Sequence, residues 1–414
     1  MNPFELKPKK LENYISSNSS LALKAYDKHQ VSPYTKVRII LASGTEFEAN
    51  WYSHNMQRMT YNNDLRRELA MIRRIEQQQH KKLASLKPID ETILETTLTY
   101  EQVAVDLTAM LAKREKNAVV REQLDFALLE DFDHLYRFSN LIDLEENTKF
   151  EEVIGNYTEV MPGRPTVSEP RHPNDDIRFA QKAALNDVLT NLQIGIITAA
   201  EQQTMNFYMN LGAYYHSDLG RKLFSEIAMI EEQHVSGYGS LKDPDLTHLE
   251  CLLMHEYTEC YVYYSLYEDE SDPMVKRLFE SCFEEEVAHL HHVCALLEKY
   301  EGKPWCKVIP VGQFPELMKF GENIDYVRDV LRTVRNTSIK EGYKPVNELD
   351  DGADFFKYQK KVVGNAKNMP SHMVIDKYIA KNGTDLRFEV SPHPIKELKD
   401  RKSDNIEIAR VKGK

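Results

Sequence analysis

The sequence predicts an all-α protein: two tandem four-helix bundles followed by a mixed C-terminal extension. Three observations carry this. From Glu46 to Leu141 the chain reads as helix after helix, with few glycines or prolines to interrupt the apolar periodicity. The stretch from Gly155 to Pro173 is dense in proline and carries two glycines, so it reads as a linker. A second helical block, Asp175 to Tyr300, then repeats the first.

Taken in order, residues 1–35 form a polar N-terminal extension, 36–150 the first bundle, 151–173 the linker, 174–300 the second bundle and 301–414 a C-terminal extension of unknown role. Within that extension, Phe314 to Arg335 reads as helical, Ile375 to Val390 as room for a short strand, and the charged end as mobile.

The repeat rests on one fixed offset, that between Glu46 and Glu201. At this offset Ser85-Leu86-Lys87 meets Ser240-Leu241-Lys242, and Ile72 and Ile75 meet Ile227 and Ile230. Glu76 and Glu101 meet Glu231 and Glu256, and His134 meets His289. A gapless match of Glu and His across a whole block indicates an internal duplication.

The 414 residues suffice for two or three domains, and a hydrophobic content of 42% is ordinary for a globular chain. A formal net charge of -12 argues against nucleic acid or an anionic membrane as partner. No apolar run approaches the roughly 20 residues of a membrane span, and the start, MNPFELKPKKLENY, lacks the apolar core of an export signal. The expected location is the cytoplasm. There Cys251, Cys260, Cys282, Cys294 and Cys306, an odd set with no CxxC pair, read as reduced thiols packed as small apolar residues.

The chemistry is concentrated in the second block. Its successive helices carry Glu201, then Glu231 with His234, then Glu256 with Glu259, then Glu286 with His289. Glu and His three apart leave one helix face, one turn apart. Two Glu-x-x-His pairs, with a glutamate from each of two further helices, form the ligand set of two-metal carboxylate bundles. Bridging carboxylates offset the repulsion of two neighbouring cations, and an oxygen-rich set with two imidazoles suits iron or manganese. Without cations, burial of so many acids is strongly unfavourable.

The order and local wording of these motifs resemble rubrerythrin, within the ferritin-like di-iron carboxylate superfamily. AAEQQTMNFY is similar to that family's first-helix motif, a glutamate followed seven residues later by a tyrosine. HEYTECY is similar to its third-helix motif, two glutamates three apart followed by an aromatic. The resemblance implies a ferritin-like fold for the bundles and a site of two iron ions, with manganese as the alternative. It implies Glu201, Glu231, His234, Glu256, Glu259, Glu286 and His289 as ligands, Glu256 and Glu286 bridging. It further implies catalytic roles for Glu259 and His234, which would exchange places as the iron oxidises. Tyr208 would donate a hydrogen bond to a ligating carboxylate.

The implied activity is reduction of hydrogen peroxide, with an external electron-donor protein such as a rubredoxin, because the chain lacks the paired CxxC motifs of a built-in one. The alternatives are a ferroxidase that handles iron with dioxygen and a di-iron oxidase of an organic substrate. Pairing of two bundles within one chain leaves room for further self-association into a homo-oligomer.

The first block keeps only part of the ligand set. At the same offset His234 meets Gln79, Glu259 meets Ala104 and Glu286 meets Asp131. His80 would substitute for Gln79 only through a shift of helix register. The first block therefore reads mainly as a structural domain. His255 and His292 fall off the ligand face by helix phase, and Tyr257, Tyr261, Tyr263, Tyr264 and Tyr267 read mostly as core. Cys282, one turn before Glu286, reads as core or pocket lining.

Overall fold

Helix starts in this chain are written in short polar side chains. Asn62 accepts from the backbone N–H groups of Asp64 and Leu65, Asn117 from Val119 and Val120, Ser217 from Gly220, and Asp272 from Met274 and Val275. Thr247 and Glu250 form a reciprocal capping box. Each cap satisfies amide groups that the first helical turn leaves without partners.

The computed structural model describes residues 1–160 and 169–383, and it is mostly helical. The helices are α1 (Pro33–Arg58), α2 (Asn63–Ser85), α3 (Ile93–Arg114), α4 (Ala118–Glu145), the short α5 (Glu151–Ile154), α6 (Val188–Tyr214), α7 (Asp218–Ser240), α8 (His248–Asp269), α9 (Pro273–Glu301), α10 (Ile324–Thr333), α11 (Asp354–Val363) and α12 (Pro370–Asn382). The β-structure among the described residues is one antiparallel hairpin, Thr337–Ser338 with Lys344–Pro345. No described helix is long and apolar enough to cross a membrane.

The duplication extends to the helix ends. The starts of α6 to α9 follow those of α1 to α4 at the offset that relates Glu46 to Glu201. The caps Asn62 and Asn117 correspond in the same way to Ser217 and Asp272.

The compact units do not follow the two sequence blocks. The first unit takes Met1–Thr92, Ala180–Gln203 and Lys242–Phe320; the second takes Ile93–Phe179, Thr204–Leu241 and Gly321 onward. The first therefore joins α1 and α2 of the first block to α8 and α9 of the second. The second joins α3 and α4 to α7. α6 runs through the boundary. This replaces the expected division into residues 36–150 and 174–300. The reason is physical: duplicated helices present duplicated apolar faces, so two half-bundles complement each other in either pairing.

In the first unit α1 packs on α2, α8 on α9, α1 on α8 and α2 on α9. Gly44 lets α1 approach α6, since a Cβ there would meet the Ala199 carbonyl at 3.4 Å. The N-terminal residues, read as a polar extension, pack on α9 and its sequel. Phe4 stacks on Trp305 with ring centroids 3.8 Å apart, and the Phe314 amide donates to the Met1 carbonyl.

In the second unit α4 is buried almost all round, with α3, α7, α10 and α12 against it. Its polar stripe, Glu130, Asp133, His134, Arg137 and Asn140, is therefore buried too. One apolar core runs through Leu98, Leu128, Phe138, Phe224, Val330 and Val374. The C-terminal extension thus continues the first unit to Phe320 and supplies α10 to α12 to the second.

Two further expectations change. The described part of the expected strand, Ile375 to Gly383, continues α12 and its cap, with Val374 and Ile375 buried and Gly383 ending the helix at φ 71°; the remainder lies outside the described residues, as does the charged end. The linker also narrows. Its residues 161–168 are outside the described part, but Glu169 and Arg171 are buried within the second unit, and the next long helix starts at Val188 rather than near Asp175.

Candidate metal centres

Five acids and one histidine converge inside the first unit. α1 supplies Glu46, α2 Glu76, α8 Glu256 and Glu259, and α9 Glu286 and His289; all are buried. They form two groups that share Glu76. In one, Glu76, Glu256, Glu286 and His289 each offer a ligand atom within 4.8 Å of the others; in the other, Glu46, Glu76 and Glu259 do. His289 Nδ1 lies 3.1 Å from Glu286, 3.3 Å from Glu76 and 3.6 Å from Glu256.

Helix phase explains the convergence. Glu256 and Glu259, like Glu286 and His289, stand one turn apart on one face. Gln79 occupies the matching place on α2, fully buried, and its Nε2 donates to Glu286 Oε1 at 2.5 Å. α2 is regular through this point, so His80 does not replace Gln79.

The site is electrostatically unsettled without a cation. Glu46 Oε2, Glu76 Oε2, Glu256 Oε1, Glu259 Oε1 and Gln79 Oε1 are buried with no hydrogen-bond donor. Burial, and then repulsion among the neighbouring carboxylates, pushes Glu46, Glu76, Glu256, Glu259 and Glu286 above the usual carboxylate range. Burial opposes a charge on His289, but Glu286 and Glu76 outweigh it and hold the imidazole well above its ordinary value.

Within the second unit α3 supplies Glu101, α4 Asp131 and His134, and α7 Glu231 and His234. Glu101, His134 and Glu231 form one group, while Asp131, Glu231 and His234 also lie within 4.8 Å of one another. Glu231 stands between two imidazoles: Oε1 is 3.1 Å from His134 Nδ1 and Oε2 is 3.1 Å from His234 Nδ1. Burial would raise the Glu231 carboxyl, but these two partners hold it well below its ordinary value. Asp131 Oδ2 and Glu101 Oε2 are buried without a donor.

The far nitrogens of both imidazoles meet carboxylates. His234 Nε2 faces Glu130 Oε2 at 2.7 Å, and His134 Nε2 faces Glu169 Oε2 at 3.7 Å. Glu169 is gripped at both oxygens by Arg137, at 2.6 and 3.0 Å, and Arg137 also pairs with Asp133. Such outer carboxylates fix the ring and raise the basicity of a metal-ligating histidine. Sequence reasoning missed Glu130, Asp133, Arg137 and Glu169. The one available signal was Arg137 one turn past His134; nothing in the linker pointed to Glu169.

The seven expected ligands are thus divided. Glu256, Glu259, Glu286 and His289 gather with Glu46 and Glu76 in the first unit, and Glu231 and His234 with Glu101, Asp131 and His134 in the second. Glu201 is buried on α6, two turns before Tyr208 on the same face. His234 and Glu259, expected to exchange at one site, belong to different units. The first block is more than structural support, because Glu46, Glu76, Glu101 and His134 all enter the groups.

Tyr208 donates to a carboxylate as expected, and that carboxylate is Glu101, at 2.5 Å. Tyr263, read as core, also donates to a buried carboxylate, Glu46, in the first unit. Tyr257 and Tyr261 are structural, donating to the backbone carbonyls of Gly312, Gln313 and Glu316. His255, set aside on helix phase, instead lies 3.2 Å from Glu259, whose charge overcomes burial and lifts the imidazole to about 10. His292 pairs with Glu68 at the surface, as helix phase implied. Cys282 is buried against Tyr263, and burial pushes its thiol up.

No protein-family model, curated protein or solved structure matches the chain. Function is therefore read from the four ligand groups themselves.

Proposed function

We propose that each unit is a ferritin-like four-helix bundle holding a pair of metal ions, iron foremost, and that the protein reduces hydrogen peroxide with electrons from an external donor such as a rubredoxin. The observation that carries this reading is the set of buried carboxylate oxygens with no donor, Glu46 Oε2, Glu76 Oε2, Glu256 Oε1 and Glu259 Oε1 in one unit and Glu101 Oε2 and Asp131 Oδ2 in the other. Unpaired buried acids are costly, and cations offset that cost.

The donor set fits such ions. It is rich in carboxylate, with imidazole at three of the four positions and no thiolate in any group. Glu46, Glu76, Glu256, Glu259, Glu286 and His289 would hold one pair. Glu101, Asp131, His134, Glu231 and His234 would hold the other.

When bound in the ferrous state, such a pair supplies the two electrons that, with two protons, convert hydrogen peroxide to two molecules of water. The protein's own groups orient and exclude. Tyr263 and Tyr208 fix the Glu46 and Glu101 carboxylates. Glu130 and Glu169 fix the two imidazoles of the second unit. The buried helices keep bulk water away.

Glu259 favours peroxide over dioxygen. It adds a carboxylate beside Glu46 and Glu76, and it matches the second glutamate of the third-helix motif that the resemblance to rubrerythrin ties to peroxide reduction. His255 orients it; His234 has no part at that site. Ferroxidase-type iron handling is the second reading, and Ala104 favours it for the second unit, where the extra carboxylate is absent. The deciding experiment is stopped-flow oxidation of anaerobically iron-loaded protein by hydrogen peroxide and by dioxygen. Faster reaction with peroxide supports the peroxidase; faster reaction with dioxygen overturns it in favour of the ferroxidase.

A further inference from the structure

The four metal positions differ in one respect. In the second unit each group contains an imidazole, His134 in one and His234 in the other. In the first unit His289 serves one group, and the other, Glu46, Glu76 and Glu259, contains oxygen donors alone. Where duplication would place a histidine on α2, the chain has Gln79, buried, with Oε1 lacking a donor while Nε2 binds Glu286. Gln79 stands one turn after Glu76 on α2, so at that place the chain carries an amide oxygen where an imidazole would stand. His255 does not alter this, because its Nε2 is turned to Glu259 Oε2 at 3.2 Å and stays outside the group.

We infer that the first unit holds a mixed pair: manganese(II) at the all-oxygen position of Glu46, Glu76 and Glu259, and iron at the position of Glu256, Glu286 and His289, with Glu76 between them. The inference rests on the proposed function for the presence of metal and replaces one iron of the first unit by manganese, so that there manganese(II) and iron(II) would each supply one of the two electrons. Carboxylate and carbonyl oxygens suit manganese, whereas imidazole shifts preference toward iron. The second unit is the internal control, since both its groups carry an imidazole and both take iron.

The test uses the full chain, stripped of metal and reloaded anaerobically with equimolar manganese(II) and iron(II). Anomalous diffraction at both absorption edges then locates each element. Manganese is expected at the Glu46–Glu76–Glu259 position, and iron at the His289 position and throughout the second unit. Gln79→His should lower the manganese-to-iron ratio at the first position by about tenfold, the scale on which ligand surroundings tune metal affinity. Glu259→Ala should empty that position of manganese and leave iron beside His289, so the inference stays testable if the histidine variant fails to fold. Iron at both positions of the first unit, or a ratio unmoved by either variant, overturns the mixed pair and leaves the proposed function standing. Absence of metal from both units overturns both.

Discussion

Gln79 donates its side-chain amide to Glu286. At the matching place on α7 the chain carries His234, whose Nδ1 lies 3.1 Å from both Glu231 and Asp131. Duplicated helices have therefore diverged at the residues that face the acids, while the faces that pack have stayed alike.

Metal content should divide by unit. Glu76→Ala is expected to remove up to two ions from the first unit and spare the second, and Glu231→Ala to do the reverse. Metal analysis of the purified variants checks this. If both substitutions deplete the same pair, the division of ligands is wrong.

Glu101→Gln tests whether the first block takes part in the chemistry. Glu101 accepts from Tyr208 and neighbours His134 and Glu231. Loss of its charge should weaken metal binding in the second unit by about tenfold or more, the range seen for groups that orient metal ligands. A titration with unchanged affinity would return α3 to a packing role.

Glu259→Ala places in α8 the residue that α3 carries at Ala104. Reduction of peroxide should slow by more than roughly tenfold, about 1.4 kcal/mol of barrier, with dioxygen gaining relative to peroxide. Single-turnover rates with each oxidant measure it. Equal peroxide rates in parent and variant would make Glu259 a bystander.

The metal-free protein should lose stability as pH rises. Glu46, Glu76, Glu256, Glu259 and Glu286 are held above their ordinary range by burial, so the folded chain keeps protons that the unfolded chain has released. Stability then falls with pH above about 4. The raised imidazoles of His134 and His289, which gain carboxylate partners in spite of burial, act in the same direction above about 6.5. Glu231 and Glu169 are held low against burial, by their histidine partners and by Arg137 with His134 respectively, and act oppositely, but only below the ordinary carboxylate range. Melting temperatures of stripped protein should drop between about pH 5.5 and 8, and bound metal should flatten the slope. A rising Tm in the stripped protein would contradict the burial argument.

Arg137→Met should be severely destabilising. The guanidinium is fully buried, and its removal takes the positive charge from beside Glu169 and Asp133 in the interior. A loss of about 3–5 kcal/mol is expected, read from urea unfolding. A near-neutral result would show that both acids reach water or take up protons at little cost.

Much of this was legible in the sequence because helix periodicity is local. Glu286 and His289 announce a shared face through their spacing, and Asn62 and Ser217 announce helix starts through their chemistry. The duplication was readable because Glu46 and Glu201 lie at the offset of every later pair. What was not legible is partner choice. Nothing in α2 states whether Glu76 meets α4 or α9, since the duplicated helices present like faces. Glu169 was hidden for a different reason: its place beside His134 depends on how a proline-rich segment returns to the core. His255 misled because helix phase locates a Cβ but not the reach of an imidazole toward Glu259.

The interleaving of the two blocks sets an order for biosynthesis. As the chain leaves the ribosome, α1 and α2 appear early with Glu46 and Glu76, yet the helices carrying Glu256 and His289 are made last among the long ones. The nascent first half therefore waits with half a core exposed, and contacts of this sequence separation close slowly. A protease cut or a stop codon between the blocks would leave no finished compartment behind, only two complementary halves, each requiring the other to become a protein.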